Sequence, residues 1–189
     1  MLEKGESVLV HAAAGGVGTY AVQMARLMGA SLVIATASTQ EKLDLAKSLG
    51  ADVLINYTEK DWPDQVREAT GGKGADVILE MVGGDFIEKN LECLAAFGRM
   101  VVYGKASGDR GTLAPVDLML YNQVVAGFYL PRLMTRPELI GPSLEEVLGW
   151  VASGELELTI GARYSLDRAP EAHEALEGRQ TTGKIVLTP

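Results

Sequence analysis

The sequence predicts an α/β fold, in which a doubly wound parallel sheet of six strands is followed by a C-terminal α+β tail. Three observations support this prediction. Short apolar runs alternate with helix-length stretches up to residue 130, as in proteins whose helices cover both faces of a parallel sheet. Residues 31–37 are almost entirely apolar, which is typical of a strand buried on both faces. A glycine-rich turn joins the first strand to the first helix, and right-handed crossovers then favour the strand order of the Rossmann fold.

The individual elements follow from local sequence. The predicted strands are short apolar runs at residues 7–11, 31–37, 53–56, 76–82, 99–103 and 124–130. The helices between them have apolar residues at helical spacing and cover residues 19–28, 40–49, 62–69 and 86–97, with a short helical piece at 115–121. Ser38 and Thr39 are typical of a helix N-cap, Gly29 and Gly50 of helix ends, and Pro63 of a first helical turn.

The alternation stops after residue 130, where Pro131, Pro137 and Pro142 interrupt the pattern. Beyond them we predict a helix around residues 144–151, a strand near 158–164, a helix at 170–177 and a last strand at 184–187. We therefore divide the chain into residues 1–130, which form the sheet domain, and residues 131–189, a C-terminal segment.

Composition restricts the possible partners. The chain has 189 residues, and 47% of them are hydrophobic, which is sufficient for a sizeable core. A net charge of −8 disfavours nucleic acid and anionic membranes as partners, although a local basic pocket is compatible with it. No apolar run approaches membrane-spanning length and we find no secretory segment, so we expect a cytoplasmic protein. Because Cys93 is the only cysteine, we expect neither an intrachain disulfide nor a multi-cysteine zinc site.

The glycine-rich turn reads Ala13-x-Gly15-x-x-Gly18, which is GxGxxG with alanine in the first position. Its place between a strand and a helix is typical of a dinucleotide phosphate site. Gly15 lets the backbone approach a pyrophosphate, Gly18 lets the helix pack closely on the sheet, and the helix N-terminus attracts the phosphate charge. The alternative is a tight turn without a ligand. The predicted cofactor-binding residues of this turn are Ala14, Gly15, Gly16, Val17 and Gly18.

The end of the second strand indicates which cofactor is bound. An NAD-selecting carboxylate is expected there, but no Asp or Glu occurs between Ser31 and Gln40. Ser38 stands at that position, and Lys42 follows one helical turn later. Together they favour NADPH. The alternative is an ordinary capping serine beside a solvated lysine.

These residues resemble the cofactor domain of the medium-chain dehydrogenase/reductase superfamily. The closest resemblance is to its zinc-free quinone oxidoreductase branch, the zeta-crystallin-like proteins. The start of the glycine turn is also similar to enoyl-reductase domains of polyketide synthases. The matching stretches run in order through the chain, at residues 5–18, 36–42, 49–52, 55–57, 74–77, 82–84, 97–99, 127–130 and 182–187.

The resemblance implies hydride transfer from NADPH to a small molecule, a quinone or an enone, without zinc. It places the 2′-phosphate of NADPH at Ser38, Lys42 and Tyr57, with Arg179 as a further phosphate ligand. The cofactor set also includes Gly83, and on the nicotinamide side Tyr103, Gly104, Phe128, Tyr129 and Leu130. No catalytic residue is nominated, because the resemblance implies a protein that mainly positions its cofactor and substrate.

Family members carry an N-terminal substrate domain, so the resemblance predicts that this chain is a cofactor domain from a longer reductase. The strands of the segment 131–189 would normally complete the substrate domain, and we expect them to lack the partners that this domain would supply. The strand from Val124 to Leu130 lies at the predicted sheet edge, and in relatives this region pairs across a homodimer. Two alternatives remain: an enoyl reductase, free-standing or from a polyketide synthase, and a non-catalytic nucleotide-binding or assembly module.

Three further residues have reactive side chains. His11 ends the first strand beside the glycine turn, and we expect it to be structural, since an isolated histidine is rarely a ligand. His173 lies in a polar helix and is expected to be solvated. Cys93 lies on the apolar side of a helix with Leu91 and Leu94, and we expect it to be buried and inert.

Overall fold

The computed structural model describes residues 2–189. Its main sheet has six strands in the order β3-β2-β1-β4-β5-β6, and each neighbouring pair is parallel. The prediction of a doubly wound Rossmann sheet is therefore confirmed. The order of the strands reverses between β1 and β4, and this switch point is where such sheets bind ligands. The strands are β1 (Ser7–Val10), β2 (Leu32–Ala37), β3 (Val53–Asn56), β4 (Ala75–Glu80), β5 (Leu94–Val102) and β6 (Val124–Gly127).

Helices pack on both faces of this sheet. They are α1 (Gly18–Leu27), α2 (Gln40–Ser48), α3 (Trp62–Ala69) and α4 (Phe86–Cys93), with a 3-10 turn at Pro115–Leu118. Alternate residues of β1 point to opposite faces, so Val8 and Val10 join the core with α1 and α2, whereas Leu9 joins the core with α3 and α4. All four residues of β1 are buried, which explains why the strand is apolar apart from Ser7, whose hydroxyl donates to Asp76 at 2.7 Å.

Two boundaries in this half differ from the sequence prediction. The helix predicted to reach Phe97 ends at Cys93, because Leu94 already pairs with Ala75 of β4. The strand predicted to reach Leu130 ends at Gly127, and Leu130 instead begins a short helix in which Pro131 takes an N-terminal position.

The C-terminal segment contains α5 (Leu130–Leu133), α6 (Pro137–Ser153), β7 (Ile160–Ser165), a 3-10 turn at Leu166–Arg168, α7 (Ala169–Glu177) and β8 (Lys184–Thr188). Helix α6 is longer than predicted and contains Pro142 in its second turn. Strands β7 and β8 pair with each other in a separate two-stranded parallel sheet; that they lack the partners that a substrate domain would supply stays a prediction.

The tail contacts the sheet domain through α1 and the glycine-rich turn. The Gln23 side chain donates to the Glu157 carbonyl at 3.1 Å and accepts from the Glu157 N–H at 2.8 Å. The Gly183 N–H donates to the Ala14 carbonyl at 2.8 Å. These bonds bring the start of β8 beside the turn that follows β1. Within residues 2–189 no helix combines the length and the apolar character required to cross a bilayer.

Candidate functional site

The glycine-rich turn after β1 has a geometry that requires glycine. Ala12 adopts a left-handed φ of 48°, and its carbonyl accepts the Gly15 N–H at 2.8 Å. A Cβ on Gly18 would lie 2.6 Å from the Ala13 Cα and closer still to the Ala12 carbonyl oxygen. Helix α1 begins at Gly18. The Thr19 and Ala21 N–H groups donate to the Gly15 and Val17 carbonyls of the turn, and the dipole of the helix places its positive end at the carboxyl edge of the sheet, as an anion site requires.

A cleft of about 570 Å³ opens beside this turn, at the carboxyl ends of β1, β2 and β4. It brings together many of the residues that the sequence predicted to bind the cofactor. Those in its walls are Ala14, Gly15, Gly16, Ser38, Lys42, Tyr57 and Arg179. The cleft thus joins the glycine turn to the end of β2, where the sequence places cofactor selection.

The cleft is positively charged, although the chain as a whole is acidic. Its charged lining residues are Lys42, Arg179 and Lys184, against Glu177. Lys42 Nζ donates to the Arg179 carbonyl at 2.6 Å, and the Arg179 guanidinium donates to the Ala106 carbonyl at 3.1 Å. These bonds hold the end of α7 over α2. The result is a local basic surface suited to a phosphate.

The capping interpretation of Ser38 does not account for the structure. The residue that caps α2 is Thr39, whose Oγ1 accepts the Lys42 N–H at 3.4 Å. Ser38 precedes the cap, is half-buried and faces the cleft. Its hydroxyl is therefore placed for a ligand contact.

A second, more apolar groove of about 550 Å³ adjoins the cleft. Gly16 and Lys184 line both cavities, and the predicted residues Val17, Tyr103 and Phe128 line this one. Its floor consists of alternate residues from β4, β5 and β6. These residues lie on the same face of the sheet as α1 and α2, which cover that face at β1, β2 and β3. Burial raises the pKa of Tyr103 to about 12, and the negative charge of Glu80 contributes, so its phenol is neutral at ordinary pH.

The remaining predicted residues lie outside the walls of both cavities. Gly83 is buried against the Asp109 carbonyl at a φ of 78°, and Gly104 packs against Met81. Tyr129 and Leu130 are exposed at the start of α5. Gly18 lies outside both walls, and its lack of a side chain lets the start of α1 approach Ala12 and Ala13.

Several cleft residues were not nominated from the sequence, notably Met81, Val82, Ala106 and Lys184. Lys184 is the clearest omission, because its Nζ would lie 3.4 Å from a Cβ on Gly16 and lies 5.6 Å from the centre of the Tyr20 ring. Residues 182–187 resemble the family, which marks the segment that contains Lys184. The resemblance does not indicate that this segment contacts the glycine turn, because the two are distant in sequence.

His11 is a core residue, as expected, and it is fully buried next to Trp62 and Phe86. Burial lowers the pKa of His11 despite the neighbouring Glu80 carboxylate, so the imidazole is neutral. His173 is exposed. Cys93 is also buried as expected, and burial raises the pKa of its thiol to about 12.

The described residues do not provide a metal centre. Among residues 2–189, no three side chains of His, Cys, Asp or Glu lie together in an arrangement that could hold an ion. That the protein functions without zinc stays a prediction.

A glycine-rich turn at the switch point of a doubly wound sheet, beside a basic cleft, is typical of dinucleotide-binding domains. Comparison with known proteins agrees with this class. Residues 16–146 match the family described as zinc-binding dehydrogenase, and the chain belongs to this family. It corresponds to the C-terminal, cofactor-binding half of quinone oxidoreductases in the medium-chain superfamily.

Individual relatives show how far the likeness extends. The 2-haloacrylate reductase of a Burkholderia species is 38% identical over 197 residues, which cover 100% of this chain and 57% of that protein. The structure of Escherichia coli quinone oxidoreductase complexed with NADPH superposes with a TM-score of 0.91 at 36% identity, over 100% of this chain and 58% of that one. Highly-reducing polyketide synthase 1 of Aureobasidium melanogenum is 33% identical over 193 residues, 100% of this chain and 9% of the synthase. The chain thus spans little more than half of the reductases it matches.

Proposed function

We propose that this chain binds NADPH and forms the cofactor half of a reductase that transfers hydride to a quinone or an activated alkene. The observation that carries the proposal is the basic cleft at the switch point, in which the glycine turn, Ser38 and Lys42 meet without a carboxylate on β2. The E. coli relative solved with NADPH supports the choice of cofactor.

The residues of the cleft fit NADPH. Gly15 and Gly16 of the glycine turn line the cleft, where their backbone would face the pyrophosphate. Ser38, Lys42, Tyr57 and Arg179 would hold the 2′-phosphate through charged and hydroxyl donors. Tyr103 and Phe128 would flank the nicotinamide at the second groove, with Gly83, Gly104, Tyr129 and Leu130 shaping the loops around it. NADPH, when bound, supplies the hydride; the residues of this chain bind it, orient it and exclude water.

The acceptor side of the reaction needs more than this chain. The chain spans 57% of the Burkholderia relative, which acts on a 2-haloacrylate by its name. We propose that residues 1–130 are the dinucleotide-binding domain, that residues 131–189 complete a substrate domain, and that the substrate is a small quinone or enone. The parent protein is proposed to be cytoplasmic and to work without zinc.

Fluorescence titration with NADPH and NADH tests the choice of cofactor. We expect NADPH to bind more tightly than NADH. Lys42→Ala should weaken NADPH binding about tenfold, since a charge-assisted bond to phosphate is lost, and leave NADH binding unchanged. Lys73→Ala, which changes an exposed lysine elsewhere, is the matched control. The proposal fails if neither cofactor binds or if NADH binds more tightly.

An enoyl reductase is the second candidate, and the polyketide synthase relative is the observation that favours it. The two candidates differ only in the acceptor. Turnover of a quinone and of an enoyl thioester by the intact parent enzyme, with NADPH in excess, separates them. A preference for the thioester would replace the quinone in the proposal.

We also propose that the protein forms a homodimer through β6. This strand is at the sheet edge, Val124 and Phe128 are exposed there, and an open edge with apolar side chains is prone to pair with another strand. Light scattering of the purified chain should give twice the monomer mass. A Val125→Pro variant, which interrupts the edge, should give the monomer mass, and a monomeric wild type would refute the proposal.

A further inference from the structure

Four buried polar side chains form one hydrogen-bonded chain beneath the cleft. Glu80, His11 and Thr36 stand at the carboxyl ends of β4, β1 and β2, and Asn90 projects from α4; each of the four is 0% exposed. Asn90 Nδ2 lies 2.6 Å from Glu80 Oε2, Asn90 Oδ1 lies 2.7 Å from His11 Nε2, and His11 Nδ1 lies 2.8 Å from Thr36 Oγ1. Every polar atom in this series is paired, as buried polar groups require.

The carboxylate of Glu80 sets the donor and the acceptor of each hydrogen bond in this series. A carboxylate only accepts, so Asn90 turns its amide NH₂ toward Glu80 and its oxygen toward His11. His11 Nε2 must then donate, which leaves Nδ1 to accept the hydroxyl proton of Thr36. Full burial favours the neutral imidazole, and in the neutral ring this arrangement places the single proton on Nε2.

The same carboxylate holds a wall of the cleft. Glu80 Oε1 accepts the Val82 N–H at 2.5 Å and the Gly83 N–H at 2.6 Å, and these bonds fold the backbone after β4 into a turn. Met81 and Val82 in this turn line the cleft. At the other end of this hydrogen-bonded series, His11 directly precedes the glycine turn and Thr36 lies two residues before Ser38. One network therefore connects the three loops that surround the cleft.

We propose that Glu80 is a positioning residue for the cofactor: its carboxylate holds the turn after β4 and, through Asn90, dictates the tautomer of His11 and the donor role of Thr36. The part that concerns cofactor affinity rests on the proposed binding of NADPH. The part that concerns the tautomer does not.

Nitrogen-15 NMR of the histidine side chains tests the network in the full 189-residue chain, with exposed His173 as the internal reference. The wild type should show His11 with its proton on Nε2. In Glu80→Gln, the amide oxygen keeps the Val82 and Gly83 bonds while the new NH₂ faces Asn90. Asn90 must then turn over, and His11 must move its proton to Nδ1. An Nδ1–H wild type, or a Glu80→Gln variant that keeps Nε2–H, would overturn the proposal.

A second variant keeps the test decisive if Glu80→Gln does not fold. Thr36→Val removes the hydroxyl at the far end of the network with little change in shape. His11 should keep its proton on Nε2, because the direction is imposed from Glu80. A move of the proton to Nδ1 in this variant would assign control to Thr36 and refute the role of Glu80.

Cofactor titration provides the functional readout. Glu80→Gln should weaken NADPH binding about three- to tenfold, because charge-assisted bonds to the turn become ordinary ones. Glu92→Gln, an equivalent change at an exposed position of the neighbouring helix, should bind NADPH as the wild type does. If the wild type binds NADPH and Glu80→Gln binds it equally well, the positioning role is wrong. If the wild type does not bind NADPH, the proposed function fails, and the tautomer experiment still decides whether Glu80 directs the network.

Discussion

Gly18→Ala is the substitution that tests most directly whether the turn after β1 is built for close backbone approach. The added Cβ would lie 2.6 Å from the Ala13 Cα and 2.7 Å from the Ala13 carbonyl carbon, inside the 3.0 Å limit that real Cβ atoms respect. Both neighbours are backbone atoms, so no side-chain rotation relieves the overlap. Either α1 or the turn must move by several tenths of an ångström.

The cost of this movement can be bounded. Overpacking against a fixed neighbour costs about 1–3 kcal/mol, and the upper part of that range applies because the neighbours are backbone. For a chain of this length, about 2–3 kcal/mol lowers Tm by about 5–10 °C. The displaced turn also loses its alignment with the phosphates, and we expect NADPH to bind at least tenfold more weakly, which corresponds to about 1.4 kcal/mol.

Thermal unfolding followed by circular dichroism and NADPH titration measure the two effects. Gly149→Ala is the matched control: Gly149 lies in α6, is exposed and has no atom within 4 Å of the position that an added Cβ would take. There, alanine should stabilise the helix by up to about 1 kcal/mol and leave NADPH binding unchanged. A Gly18→Ala variant with wild-type Tm and wild-type affinity would refute the steric argument.

Three further predictions concern the cleft and the core. Ser38→Asp should reverse the preference for NADPH over NADH in paired titrations, because a carboxylate there repels the 2′-phosphate and accepts the ribose hydroxyls; an unchanged preference would contradict this. The pKa of His11 is lowered in the folded chain, so below about pH 6.5 the unfolded state binds more protons than the folded state does. As the pH falls through this range, the free energy of unfolding should therefore decrease by up to about 1.4 kcal/mol per pH unit. Urea unfolding at pH 7.5 and 5.5 measures this, and His173→Gln should retain the same pH dependence. Cys93, whose pKa burial raises to about 12, should react with a thiol reagent at pH 8 only after denaturant is added; rapid reaction of the folded chain would show that the site opens.

Much of the sheet domain could be predicted from the sequence, because its signals are local. The apolar runs of β1 and β2 report burial on both faces, and Trp62–Ala69 forms the predicted helix with Pro63 in its first turn. The errors occur where a distant contact overrides a local tendency. Leu94, predicted to lie in helix α4, pairs instead with Ala75 of β4. The parallel pairing of β7 with β8 was not predicted from the sequence.

The candidate site divides in the same way. The sequence by itself determined the glycine turn, the absence of a carboxylate at the end of β2, and the pair Ser38 and Lys42, since each depends on residues that are close in the chain. Those features indicate a dinucleotide site and its preference for NADPH.

Only the tertiary structure decided which other groups reach the cleft. Lys184 approaches Gly16 because the Gln23 and Gly183 hydrogen bonds dock the tail on the sheet domain. Glu80 lies near His11 and Thr36 because the parallel strands β4, β1 and β2 end at the same edge of the sheet. There these buried side chains and Asn90 form hydrogen bonds with one another. The physical reason is common to both: a hydrogen bond between residues remote in sequence depends on the packing of whole elements, and no local pattern of residue types records it.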